Sequence, residues 1–214
     1  MPASPPEPAF DRNKPDDQFT PLAKEPTVDI GLLHSARSGT ALNDSDYDFF
    51  AGLLSYPYRA EGNPGKKQAM LESLKREMGG KVQAFKANPY VTMQLPFYLG
   101  VYDSATRAFP LIAGQLYTTL SWLKDGRLPY WAGMANYTLR IRNAGKFGKF
   151  IVSDEDKARD FNSFSPQQRG GIATVYLFAQ NASGAGQSRT ITAEIVRVKL
   201  TSGDGEFLGE LRSD

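Results

Sequence analysis

Asp44, Asp46 and Asp48 alternate within Asn43 to Ser55, NDSDYDFFAGLLS, the spacing of the first ligands of a calcium loop. Such a loop next needs a glycine for its sharp turn and closes on a bidentate glutamate. Phe49 and Ser55 occupy those places, so a helix start explains the carboxylates better. Asp44 or Ser45 would cap it, and acids in a first turn favour the positive helix end. A glycan hydrolase needs two acids facing each other across a cleft, about 5–9.5 Å apart. Asp48, Asp103 and Asp125 are candidates, but none has a sequence partner that stands out. His34 is the only histidine, beside Leu32 and Leu33. No serine–histidine–acid order is recognisable around it, and it reads as a structural residue.

Other chemistries fall away on composition. The chain has no cysteine among its 214 residues, which excludes disulfides, zinc–thiolate sites and thiol catalysis. Net charge is +2, from 25 basic and 23 acidic residues. That balance gives no field to hold a polyanion, so no nucleic-acid partner is expected. Asn181 to Ser188 carries glycines but no Gly-Lys-Ser/Thr ending, so it is not a phosphate loop. No catalytic residue, metal site or cofactor is assigned.

The elements that would position any site centre on Asn88 to Pro110. Val91, Met93, Leu95, Phe97, Leu99 and Val101 alternate with Thr92, Gln94, Pro96, Tyr98, Gly100 and Tyr102. This is one long strand with an apolar face. Pro96 lacks an N–H and argues for an edge position or a bulge. Asn136 to Arg142 alternates too: Tyr137, Leu139 and Ile141 face in, while Arg140 and Arg142 mark a wet face. Ile172 to Ala179 is apolar on both faces and suits a central strand. Thr190 to Leu200 changes phase between Ile195 and Val196, as a bulge would make it do. Asn181 to Ser188 reads as a flexible hairpin loop, and Gly203-Asp-Gly as another turn.

Helices are expected in the first half. Phe49, Phe50, Leu53 and Leu54 would form the buried stripe of one. Leu71, Leu74, Met78, Val82 and Phe85 recur at helical steps in Lys66 to Ala87. Gly79-Gly80 predicts a kink or two shorter helices there, since each glycine costs roughly 1 kcal/mol against alanine. Thr27 to Ser38 reads as a short strand or a helical turn, and Tyr56 to Gly65 as a loop. Ser153 would cap a short helix with Ala158 and Phe161 facing in.

Residues 2–26 hold seven prolines and little that is apolar. They read as a Pro-rich extended tail, residues 1–26, ahead of one α+β domain, residues 27–214. The tail is either a disordered tether or an arm that uses Phe10, Phe19 and Leu22 as spaced anchors on a folded surface of this chain or of a partner; we expect it to be mobile in the isolated protein and ordered on a partner. MPASPPEP has neither a basic start nor an apolar run, and no stretch approaches the roughly 20 apolar residues of a membrane span. We expect that Met1 stands where an export signal was removed. A native start at Met1 would instead mean a cytoplasmic protein.

Three pieces stand in one order: Leu99-Gly-Val-Tyr-Asp-Ser-Ala-Thr-Arg-Ala-Phe-Pro-Leu, then Ser153-Asp-Glu-Asp-Lys-Ala-Arg-Asp-Phe, then Ala193-Glu-Ile-Val-Arg-Val-Lys-Leu. Together they resemble a loosely defined set of uncharacterised exported bacterial proteins, often lipoproteins, over residues 45–212. The usual form there is glycine, then Tyr-Asp-Phe, then Phe-Pro-Leu, and this chain has Ser104 at the phenylalanine. The resemblance implies a periplasmic or envelope protein, with membrane contact only through a removed lipid anchor. It carries over no catalytic residues. The expected fold is α+β: N-terminal helices packed on a mainly antiparallel sheet built from residues 90–102, 136–143, 172–180 and 189–200. The expected function is a non-enzymatic subunit of a protein assembly, with a carboxylate-dependent glycan hydrolase as the alternative.

Overall fold

The computed structural model describes residues 9–113, 126–132, 135–163 and 169–212. The fold is α+β, with helices on one face of a mostly antiparallel, curled sheet. Its strands are β1 (Thr20–Pro21), β2 (Tyr90–Leu99), β3 (Ala108–Ala113), β4 (Arg127–Ala132), β5 (Ala135–Ile141), β6 (Lys149–Ile151), β7 (Gly170–Ala185), β8 (Ser188–Ser202) and β9 (Phe207–Arg212). The order is β4-β5-β8-β7-β2-β3-β6, with β1 added to β2 and β9 to β8. β5 runs parallel to β8, and β1 parallel to β2. All four expected strands lie side by side in this sheet.

β2 is a central strand, not an edge. It pairs with β7 along its length, and on its other side with β1 and then β3. The proline is tolerated because of a gap. The backbone groups of Thr92 and Gly100 point to the β1/β3 side, and so by alternation do those of Pro96. β1 pairs at Val91 and Thr92, β3 at Phe97 to Leu99. Pro96 falls between them, so its missing N–H removes no ladder bond. The apolar face is buried at Val91, Met93, Phe97 and Leu99, while Val101 lies past the strand end and is exposed.

The phase change in β8 is a bulge. Tyr176 pairs with Arg197 and Leu177 with Ile195, leaving Val196 as the extra residue. Ile195 and Val198 join the main core, whereas Val196 joins a separate cluster on the opposite face. Val196 therefore does not share a face with Val198 and Leu200, as a phase change between Ile195 and Val196 would require. The β7–β8 hairpin is longer than expected. Asn181 to Ala185 is strand, and the turn falls at Gly186 and Gln187. Gly184 sits at φ 85°, where an added Cβ would lie 2.3 Å from the Ser188 carbonyl oxygen.

Thr27–Ser38 is a twelve-residue helix, α1. It packs against both the next long helix and β7, and buries Val28, Ile30, Leu32, Leu33 and Ala36. A helix covered on several sides shows no clean apolar stripe, which is why its period misleads. Gly31 lets α2 (Asp44–Leu54) approach, since a Cβ there would lie 2.2 Å from the Phe50 ring. Asn43 caps α2, not Asp44 or Ser45. Its Oδ1 accepts the Asp46 N–H at 2.9 Å while Asp46 Oδ2 accepts the Asn43 N–H at 3.2 Å. Phe50 is buried, but Leu53 and Leu54 are exposed, so the expected stripe is half correct.

The expected loop after α2 holds a short helix, α3 (Tyr56–Ala60), capped by Ser55 and with Pro57 in its first turn, where no intrahelical N–H bond is lost. α4 (Pro64–Ala87) runs through Gly79-Gly80 as one helix. Met78, Val82 and Phe85 are buried on either side of the glycines, and that burial offsets their backbone cost. α5 (Glu155–Ser163) is capped by Asp154, which accepts the N–H groups of Asp156 and Lys157 at 3.0 and 3.1 Å. Ser153 is not the cap. Phe161 of α5 stands 6.0 Å from Phe109 and 6.4 Å from Phe150, so the first two resemblance segments pack on each other. Residues 114–125, between β3 and β4, lie outside the described residues.

Candidate functional site

The helices cover the inner face of the sheet. The outer face carries a second apolar cluster of Phe19, Tyr90, Tyr176, Phe178 and Val196, with Phe10 packed against it. Two of the three anchor residues thus sit here, and the surface holding them belongs to this chain. Phe19 meets Tyr90 and Tyr176 edge-on, with ring centroids 5.3 and 5.0 Å apart. Phe10 lies 5.7 Å from Phe178. Leu22 is buried in the main core, and its N–H donates to the Thr92 carbonyl at 2.8 Å. The arm's backbone is held as well. The Tyr90 hydroxyl donates to the Ala9 carbonyl at 2.7 Å and accepts the Asp11 N–H at 2.6 Å. Asn88 Nδ2 donates to the Gln18 carbonyl at 2.8 Å.

An ionic clamp closes the seat. The β8 bulge puts Val196 and Arg197 on the same outer face. Arg197 is 3 % exposed and lies between aromatic faces, 5.1 Å from the Phe19 centroid and 4.5 Å from that of Tyr176. Its guanidinium donates to the Lys14 carbonyl at 2.7 Å and to the Asp16 carboxylate. Lys199 pairs with the same carboxylate, and the Tyr176 hydroxyl donates to it at 3.1 Å. Burial raises the Asp16 pKa, but the hydrogen bonds from Lys199, Arg197 and Tyr176 outweigh it, and the net shift is downward. Asp16 is therefore ionised in the fold. Nothing in the local pattern of the tail marks it as a clamp, because its partners lie some 180 positions away.

Beyond the arm the same face is open. Pro96, Ile172, Thr201 and Phe207 pair in register across β2, β7, β8 and β9. Partnered residues share a face, and Ile172 is in phase with Tyr176. Ile172 is 41 % and Phe207 59 % exposed. The outer face thus reads as one surface, with an arm seated at one end and an uncovered apolar row at the other.

A cleft of about 450 Å³ opens on the helical side, lined in part by Asn43, Ser45, Asp46, Asp48, Gln187 and Arg189. Arg189 organises it. The guanidinium pairs with Asp46 at 3.1 Å, donates to the Tyr137 hydroxyl, and donates from Nε to the Gly186 carbonyl at 3.1 Å. The paired side chains are 11 % and 12 % exposed. His34 closes the back, edge-on to Tyr137 at 5.6 Å with Nε2 3.0 Å from the Ser183 carbonyl. Burial lowers the His34 pKa and raises that of Tyr137. This histidine supports the hairpin tip, in keeping with its structural reading.

The acids are separately engaged. Asp44 pairs with Lys75 at 3.1 Å, Asp46 with Arg189, and Asp48 accepts the Tyr58 hydroxyl. Burial, then the Asp48 hydrogen bond, pushes the Tyr58 pKa up to about 12. Among the described residues no three His, Cys, Asp or Glu side chains are grouped to hold a metal. Asp48 lines the cleft and Asp103 does not. Asp103 organises its own turn, accepting the Ala105 N–H at 3.0 Å and the Thr106 hydroxyl at 2.7 Å. Asp125 lies outside the described residues. Among the described residues no helix is long and apolar enough to cross a membrane. No protein-family model, curated protein or solved structure matches this chain.

Proposed function

We propose that this protein is a non-enzymatic subunit of a larger exported assembly and docks through the outer face of its sheet. The observation that carries the reading is the continuity of that face. One end holds the chain's own N-terminal arm through aromatic anchors and the buried Arg197, and the other presents Ile172 and Phe207 uncovered. The seated arm supports this: its spaced aromatic side chains lie on the face, its Lys14 carbonyl accepts from the Arg197 guanidinium, and a 3-10 turn at Asp16–Gln18 brings the Asp16 carboxylate to the same group. The occupant of the open row is accordingly an aromatic-bearing segment of a protein partner. Paired Ile172→Glu and Phe207→Glu substitutions test this. Both side chains are substantially exposed, so the variant keeps its fold and leaves the native assembly. A variant that remains in the assembly at wild-type level refutes the docking face.

Export rests on the resemblance of the three segments. The encoded precursor decides it: a leader ending in a lipobox cysteine supports export, and a start codon at Met1 refutes it. The alternative, a carboxylate-dependent glycan hydrolase, draws on the α2 cleft, which Asp46 and Asp48 both line. We favour the binding reading because Asp46 is committed to Arg189 and Asp48 to Tyr58. Glycan cleavage by the purified protein, lost in Asp48→Asn, would favour the hydrolase.

A further inference from the structure

Arg107 is the one described residue other than glycine with a positive φ, at 49°. It closes the β2–β3 turn, and its backbone is fixed from both sides. Asp103 and Ala108 exchange backbone hydrogen bonds at 2.9 and 3.2 Å, and the Arg107 carbonyl accepts the Val152 N–H at 2.9 Å. Glycine would adopt this conformation without the steric penalty a Cβ brings. The arginine gains nothing visible in exchange, since its guanidinium makes no hydrogen bond or ion pair with another described residue. Strain held at a fixed position, by a residue whose guanidinium is not committed to a described polar partner, points to function.

The guanidinium lines a pocket of about 300 Å³ between the turn and α5, together with Tyr102, Ser104, Glu155, Arg159 and Asn162. Donors dominate the lining. Among the described residues Arg159 bonds an exposed neighbour, Asp156, at 2.9 Å, and its side chain is 76 % exposed. Asn162 Oδ1 accepts the Tyr102 N–H at 3.5 Å, which leaves the amide NH₂ to donate. The Tyr102 hydroxyl is turned to the Val152 carbonyl at 3.3 Å, so the ring serves as a wall. Glu155, the one acid in the lining, works against a polyanion. We infer that this pocket binds a small ligand by an oxyanion, a carboxylate or a phosphate, held by Arg107 with Arg159, Ser104 and Asn162 in support. None of these residues belongs to the outer row, so the inference stands or falls apart from the docking proposal.

Titration of the full chain with inorganic phosphate and, separately, with citrate tests it, read by amide chemical shifts at Ser104, Arg107 and Asn162. Saturable shifts confined to this pocket are expected with one or both probes, and the tighter probe names the source of the oxyanion. Arg107→Gly relieves the backbone and so does not endanger folding. It is expected to raise the thermal midpoint and weaken binding at least tenfold, whereas Arg107→Lys keeps the charge and part of the affinity. Saturable binding by neither probe, or binding by Arg107→Gly as tight as wild type, overturns the inference.

Discussion

Phe19→Ala removes the anchor at the centre of the arm's seat. The ring is 6 % exposed and touches Tyr90, Tyr176 and Arg197. Truncating a buried phenylalanine costs about 3–5 kcal/mol. The two edge-on ring pairs, worth about 0.5–1.5 kcal/mol each beyond area, are part of that sum. The whole amount cannot fall on global stability. Ordering a chain costs about 1–2 kcal/mol per residue, so the arm's net docking energy is far below its gross contacts. The fold can lose no more than that net value before the arm simply detaches. A loss of about 3 kcal/mol therefore shows mainly as arm opening, raised about a hundredfold because 1.4 kcal/mol is tenfold. The assay is trypsin cleavage at the Arg12–Asn13 bond of the purified protein, read by mass spectrometry beside a urea melt. Phe19→Ala should be cut far faster than wild type, with a smaller shift of the urea midpoint. Equal cleavage rates with equal midpoints would refute the idea that Phe19 seats the arm on its own chain.

Two further outcomes follow from the cleft. Arg189→Met strands Asp46, 12 % exposed, and the Tyr137 hydroxyl, and should cost about 3 kcal/mol in urea unfolding, the lower end for breaking a buried pair. His34 is buried neutral, so its folded pKa lies below the unfolded value of about 6.5. The unfolded chain then binds the extra proton first, and stability is full above about pH 6.5 and falls as pH drops toward the folded pKa. His34→Asn should flatten the urea midpoint between pH 6.5 and 5. His34 is the only histidine, so an unchanged slope in that variant would contradict the assignment.

The period-two segments announced the sheet, because half-buried strands write their faces directly into the sequence. Even the β8 bulge showed, as apolar residues changing phase at Ile195 and Val196. What stayed hidden depends on neighbours distant in the chain. α1 is enclosed by α4 and the sheet, so its residues lack the polar face that would mark a helix. Gly79-Gly80 does not break α4 because tertiary burial outweighs local propensity. Pro96 is harmless only because β1 stops before it and β3 starts after it. Phe10, Phe19 and Leu22 were visible as spaced anchors, but the partners of the clamp, Arg197 and Lys199, lie at the other end of the chain. The Arg189–Asp46–Tyr137 cluster had no local signature for the same reason.

Photo-crosslinking in living cells most directly tests the claim that the outer face is a docking surface. A benzophenone side chain replaces Phe207 in one strain and Leu53 in another, Leu53 being 49 % exposed on α2. The account predicts one discrete protein adduct from position 207, mapped to an aromatic-bearing segment of the partner and lost with Ile172→Glu, and no adduct from position 53. An adduct pattern that is the same at both positions, or none at 207, would contradict it.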